Sequence, residues 1–127
     1  MSRRERAAGL GIRATTPGDC RELGDVRQAL DSIDRDILAL LGLRLGYVLE
    51  AARFKPDVAA IPAPDRVAAM LADRRDWSEA EGLSPDFTVP LFAQTIQWFI
   101  QQQTAHWQAT RAAPTPTPTD DKTGPAT

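Results

Sequence analysis

The residues of this chain best suited to chemistry are cations set into apolar stripes. Leu23, Val26, Leu30, Ile33, Ile37, Leu40, Arg44, Tyr47, Ala51 and Phe54 recur at alternating spacings of three and four, the period of one face of a helix. Arg44 interrupts that face. A guanidinium buried there needs an anion, because an uncompensated buried charge is strongly destabilising. The anion is either a carboxylate of the protein or a ligand, unless the side chain reaches out to water along its own apolar stem. Lys55 follows 11 residues later. On a continuous helix the two lie about 20° apart around the axis and about 16 Å apart along it. Two long side chains so placed suit the opposite ends of one small dianion. The only lysines are Lys55 and Lys122, and Lys122 lies in the carboxyl-terminal tail.

Three further residues extend the pattern. Arg27 sits beside the same stripe, but 28 residues before Lys55, or about 42 Å along a helix. A small ligand cannot bridge that distance within one chain. If Arg27 serves the same site, it comes from a second, antiparallel copy, which implies a homodimer with active sites shared between chains. Arg66 falls in the first turn of a second predicted helix, where backbone N–H groups favour anions; a plain surface arginine is the alternative. Gln103 occupies an apolar stripe of a third helix. It either donates to an ether or carboxylate oxygen of a ligand or bonds to backbone within the core.

Composition narrows the function classes. A net charge of −2 over 127 residues argues against a dedicated binder of nucleic acid or anionic membrane. His106 is the only histidine and Cys20 the only cysteine, so metal clusters and histidine-dependent nucleophilic relays lack their parts. No glycine-rich phosphate loop is present, and the reading calls for no cofactor and no metal. The lone thiol fits a reducing compartment. No apolar run approaches the roughly 20 residues of a membrane span, and the basic start Ser2-Arg3-Arg4-Glu5-Arg6 is followed by no apolar segment of a secretory signal. A cytoplasmic protein is the expectation.

The positioning elements are three helices, with no convincing strand. Residues 1–18 lack periodicity and are expected to form a flexible arm. The first helix is expected to be capped by Asp19 and stopped by Pro56. Residues 56–63 read as a loop. Pro64 opens the second helix, which runs through Val67, Met70, Leu71 and Arg74 to about Ala80, with Gly82 ending it. The third starts near Pro85 or at Thr88, Pro90 leaving the choice open, and carries Val89, Phe92, Ile96, Phe99, Gln103 and His106. Trp77, Trp98, Trp107 and Tyr47 read as core or interface aromatics, and Asp34 and Asp36 as part of a solvated face. The expected helical domain is 19–112, short enough to favour oligomerisation. Residues 113–127 alternate proline with threonine and are expected to be extended and disordered.

Over most of 19–111 the sequence resembles the isochorismate pyruvate lyases, within the helical chorismate mutase superfamily. The resemblance is carried by VRQALDSIDRDILALLGLR, then YV and AARFK, then IPAPDRVAAML and LFAQTIQWFIQQQ. It implies an all-helical, three-helix protomer whose long first helix pairs antiparallel in an intertwined homodimer. It further implies conversion of isochorismate, a small dicarboxylate, to salicylate and pyruvate by a cofactor-free pericyclic elimination, with weak chorismate mutase side activity, in salicylate and siderophore biosynthesis. By resemblance Lys55 and Gln103 are catalytic; Lys55 stands at the mouth of a mobile loop, and Arg27 is donated by the partner. Arg44 and Arg66 grip substrate, and Val48, Ala51, Met70 and Ile100 match apolar wall positions. Familiar chorismate mutases carry carboxylates where this chain has Ala63 and Val67, which favours the lyase. Pro56 departs from the pattern. A chorismate mutase and a non-catalytic helical dimerisation module are the competing readings.

Overall fold

The computed structural model describes residues 1–61 and 63–112. All regular structure among them is helical: α1 (Arg3–Gly9), α2 (Leu23–Ala51), α3 (Pro64–Ala80) and α4 (Pro85–Ala112), with 3-10 turns at Pro17–Asp19, Ala52–Phe54 and Val58–Ala60. The three expected helices correspond to α2, α3 and α4. Residues 113–127, expected to be disordered, lie outside the described residues. The chain divides into two compact units, Met1–Gly46 and a second beginning at Tyr47, and α2 runs through the boundary. None of the described helices is long and apolar enough to cross a membrane.

In the first unit the amino-terminal segment contains a short helix, α1, that the sequence reading did not assign. Ser2 and Glu5 form a reciprocal capping box at the start of α1. At its end Gly11, at φ 73°, allows the Gly11 and Ile12 amides to turn back onto the Ala8 and Ala7 carbonyls, the arrangement that closes many helices. Ile12 is buried. The Gln28 side chain of α2 accepts from the Arg13 amide (3.1 Å) and donates to the Gly11 carbonyl (3.0 Å) and Ser32 Oγ (3.2 Å). The periodicity argument overlooked α1 because a helix of seven residues has no room for a repeating stripe. Asp19 does not cap α2; it ends the Pro17–Asp19 turn and accepts from Thr16 Oγ1 at 2.7 Å. The segment and α2 border an apolar cleft of about 340 Å³ that includes Ile12, Cys20, Val26, Leu30 and Ile33. Even so, the stripe of α2 stays open, with Leu23 58%, Leu30 53% and Leu40 56% exposed.

In the second unit α3 packs on α4, and the turn between them is fixed locally. Gly82 (φ 77°) lets the Gly82 and Leu83 amides bond back to the Glu79 and Ser78 carbonyls. Buried Ser78 donates to the Leu83 carbonyl and accepts from Thr88. Ser84 Oγ accepts from the Asp86 amide, so α4 starts at Pro85, and Pro90 lies inside it. Ile96 and Phe99 of α4 are buried with Ile61 and Ala52 as the apolar core of this unit. Arg74 lies over Trp77 (4.7 Å) and near Phe92 (5.7 Å), joining α3 to α4 through its flat guanidinium.

The attachment of residues 1–13 gives a first expectation. Gln28→Ala removes three hydrogen bonds, each worth about 0.5–1.5 kcal/mol, and should speed tryptic cleavage after Arg13 several-fold while the helical circular dichroism is kept. An unchanged cleavage rate would show that these bonds do not hold the segment. The Asp25 carboxyl, which accepts from the Arg21 amide and then from Arg13, is held below its ordinary range. Its contribution is present above the usual carboxylate value of about 3.9 and is lost as pH falls through the lowered one.

Candidate active site

Val48 stands in the last turn of α2, and each backbone carbonyl has two lone pairs, so it can take a side-chain donor as well as a backbone one. Gln103 of α4 supplies such a donor: its Nε2 donates to the Val48 carbonyl at 2.6 Å, across 55 residues of sequence. Of the two roles considered for Gln103, backbone bonding is the one the structure shows. One amide hydrogen is thereby engaged, and the second remains as a donor.

Lys55 is half-buried just beyond the 3-10 turn Ala52–Phe54. The helical extrapolation from Arg44 therefore stops at Ala51. Four 3-10 steps turn through about 480°, whereas four α-helical steps turn through about 400°. The backbone at Lys55 is extended (φ −93°, ψ 129°), the conformation that a following proline favours. Its amide donates to the Ala52 carbonyl at 3.2 Å. Its carbonyl accepts from Trp107 Nε1 at 3.1 Å and from Arg111 Nη2 at 3.2 Å, and the Arg111 guanidinium lies 4.7 Å from the Trp107 ring centroid. After Pro56, Asp57 caps the Val58–Ala60 turn through the Ala60 amide.

The remaining candidates are placed as follows. Val48 and Ala51 of α2, Met70 of α3 and Ile100 of α4 are half-buried in the second unit. Arg66 is exposed in the first turn of α3, and Ala63 stands at that helix's N-cap without a side-chain cap bond. Arg27 and Arg44 belong to the first unit. Arg27 is exposed near the start of α2, and Arg44 is half-buried with a buried Nη1. The second unit thus joins Gln103 to the end of α2 and Lys55 to the end of α4. Sequence reasoning took Trp107 for a generic aromatic and did not single out Arg111. The signal was present: Phe99, Gln103, Trp107 and Arg111 recur every four residues along one row of α4. His106 is exposed and Cys20 half-buried. Among the described residues no cluster of acidic, histidine or cysteine side chains is arranged to hold a metal ion.

Residues 26–104 match the chorismate mutase type II family, and the chain belongs to that family. It is 53% identical over 98 residues to an isochorismate pyruvate lyase of Pseudomonas aeruginosa, an alignment spanning 77% of this chain and 97% of that protein. It is also similar to two proteins named T-protein. With that of Enterobacter agglomerans it shares 42% identity over 66 residues, 51% of this chain and 18% of the larger protein. With that of Haemophilus influenzae it shares 33% over 85 residues, 66% of this chain and 22% of the other.

The bond at the end of α2 sets a second expectation. Gln103→Leu leaves the Val48 carbonyl without its side-chain donor and should cost about 1–3 kcal/mol. Chemical denaturation checks it; an unchanged midpoint would mean that water replaces the amide at no cost.

Proposed function

We propose that this chain is an isochorismate pyruvate lyase, converting isochorismate to salicylate and pyruvate. The observation that carries the reading is the 53% identity to the Pseudomonas aeruginosa lyase over 97% of that protein's length. In the proposed reaction a ring hydrogen passes to the enolpyruvyl methylene carbon while the ether C–O bond breaks. The ring becomes aromatic and the side chain leaves as pyruvate. Such a step uses no protein nucleophile. The protein contributes orientation, by gripping two carboxylates, and positive charge where the ether oxygen gains electron density.

In this reading Arg44 and Arg66 hold carboxylates, and Lys55 places its ammonium at the ether oxygen. Gln103 offers its second amide hydrogen to the substrate, its first being committed to Val48. Val48, Ala51, Met70 and Ile100 form apolar walls. Arg27 comes from a second copy. The exposed stripe of α2 supports this homodimer, since Leu23, Leu30, Ile37 and Leu40 are each about half open to water in one chain, an apolar face of the kind that marks an interface. Ala63 and Val67, apolar where familiar chorismate mutases bear carboxylates, favour lyase over mutase, with weak mutase activity as a side reaction. A cytoplasmic location belongs to the same proposal.

Purified protein offered isochorismate and chorismate separately should yield salicylate and pyruvate from the first, and little prephenate from the second. Prephenate as the dominant product would replace the lyase reading with the mutase. If neither substrate turns over, the non-catalytic helical module remains.

Shared sites make a distinct expectation. Arg27→Ala and Lys55→Ala chains should each lose most of their activity alone, and coexpression should restore a large part of it, because a mixed dimer holds one intact site. Confirmed mixed dimers without rescue would overturn the sharing. For Lys55→Ala itself, loss of transition-state charge stabilisation should cost about 3–4 kcal/mol, a fall of roughly 10²–10³ in kcat with a smaller change in KM. Lys55→Arg should recover only part, since a planar fork cannot reproduce a compact ammonium.

A further inference from the structure

We infer that Trp107 and Arg111 are positioning residues for Lys55, two donors from the last turns of α4 that clamp its carbonyl and so fix where its side chain begins. The inference rests on the proposed role of Lys55 and goes beyond it by naming what holds that lysine in place.

The geometry is specific. A peptide carbonyl has two lone pairs, and that of Lys55 accepts from the Trp107 indole (3.1 Å) and the Arg111 guanidinium (3.2 Å). An indole has a single N–H, and that of Trp107 is spent on this carbonyl. Arg111 also lies over the Trp107 ring at 4.7 Å, so the two side chains support each other as one plate. On the other side of the residue, the Lys55 amide is tied to the Ala52 carbonyl at 3.2 Å, and Pro56 favours the extended ψ of 129°. Both backbone polar groups of Lys55 are therefore engaged by protein. A long, freely rotating ammonium can stabilise a developing charge only if its stem starts from a fixed point. Misplacement by about 1 Å can cost about 100-fold in rate.

The test uses full-length chain and isochorismate turnover. Trp107→Phe keeps an aromatic ring and removes the donor; Arg111→Met removes the other, and Arg111→Lys keeps a cationic donor. Each single loss of a donor should lower kcat about 3–10-fold, and the double variant about 10–100-fold, with KM changed less than threefold and Arg111→Lys recovering part. In a Lys55→Ala background the same substitutions should lower kcat less than twofold further, because the group they position is gone. A purely structural role predicts equal losses in both backgrounds, with a parallel fall in melting temperature. That outcome, or a folded double variant with wild-type kcat, overturns the inference. If Lys55→Ala alone turns over normally, the catalytic reading of the lysine has failed instead. The clamp is then judged by hydrogen exchange at the Trp107 indole N–H: slow exchange sustains it, and exchange at the rate of an exposed indole disproves it.

Discussion

A helix that stops inside a folded unit leaves carbonyls pointing at whatever follows, and burying them without donors costs about 1–3 kcal/mol each. Around the end of α2 and the turn that follows it, side chains from one row of α4 supply donors to backbone carbonyls. Gln103 takes the Val48 carbonyl, and Trp107 with Arg111 takes that of Lys55. The row begins with Phe99, which is buried in the core. The same α4 face thus contributes to the core, bonds the last turn of the long helix and holds the backbone of the lysine. Gln103, read as functional from its polarity, bonds the backbone of α2. The two roles are compatible because a primary amide has two hydrogens and a carbonyl two lone pairs.

Much of the fold was legible because apolar periodicity and proline or glycine punctuation agree for α2, α3 and α4. Pro64 and Gly82 bound α3 as their chemistry demands. What periodicity could not find was short. α1 is announced by its ends, the Ser2 and Glu5 capping box and Gly11, and the 3-10 turn after Ala51 is announced by nothing except the approach of Pro56. That turn matters to the site, because it changes the direction in which Lys55 leaves the helix. The pairing of Lys55 with Trp107 spans 52 residues, and a long-range bond of this kind follows from how α4 packs, not from local spacing. Gln103 was legible as an anomaly in an apolar stripe. Its partner was not, since substrate and backbone present the same acceptor chemistry.

The exposed stripe of α2 belongs to a different scale of the problem. A chain of 127 residues buries a modest fraction of its surface, and a 29-residue helix presents more apolar length than one small unit can cover. The proposed homodimer resolves this by letting a second copy bury what the first leaves open. It also places Arg27 where no single chain could use it. The anchored amino-terminal segment adds contacts to the same half of α2 through Ile12 and Gln28.

The three tryptophans carry a practical consequence. Trp98 lies half-exposed against Phe99, with ring centroids 5.2 Å apart; Trp77 lies beneath the Arg74 guanidinium; and Trp107 gives its N–H to the Lys55 carbonyl. Indole emission responds to the polarity and hydrogen bonding around the ring. A variant keeping only Trp107 would therefore carry an unlabelled optical gauge at the Lys55 carbonyl. Rapid mixing with a ligand could then follow changes around the Lys55 carbonyl separately from the appearance of product.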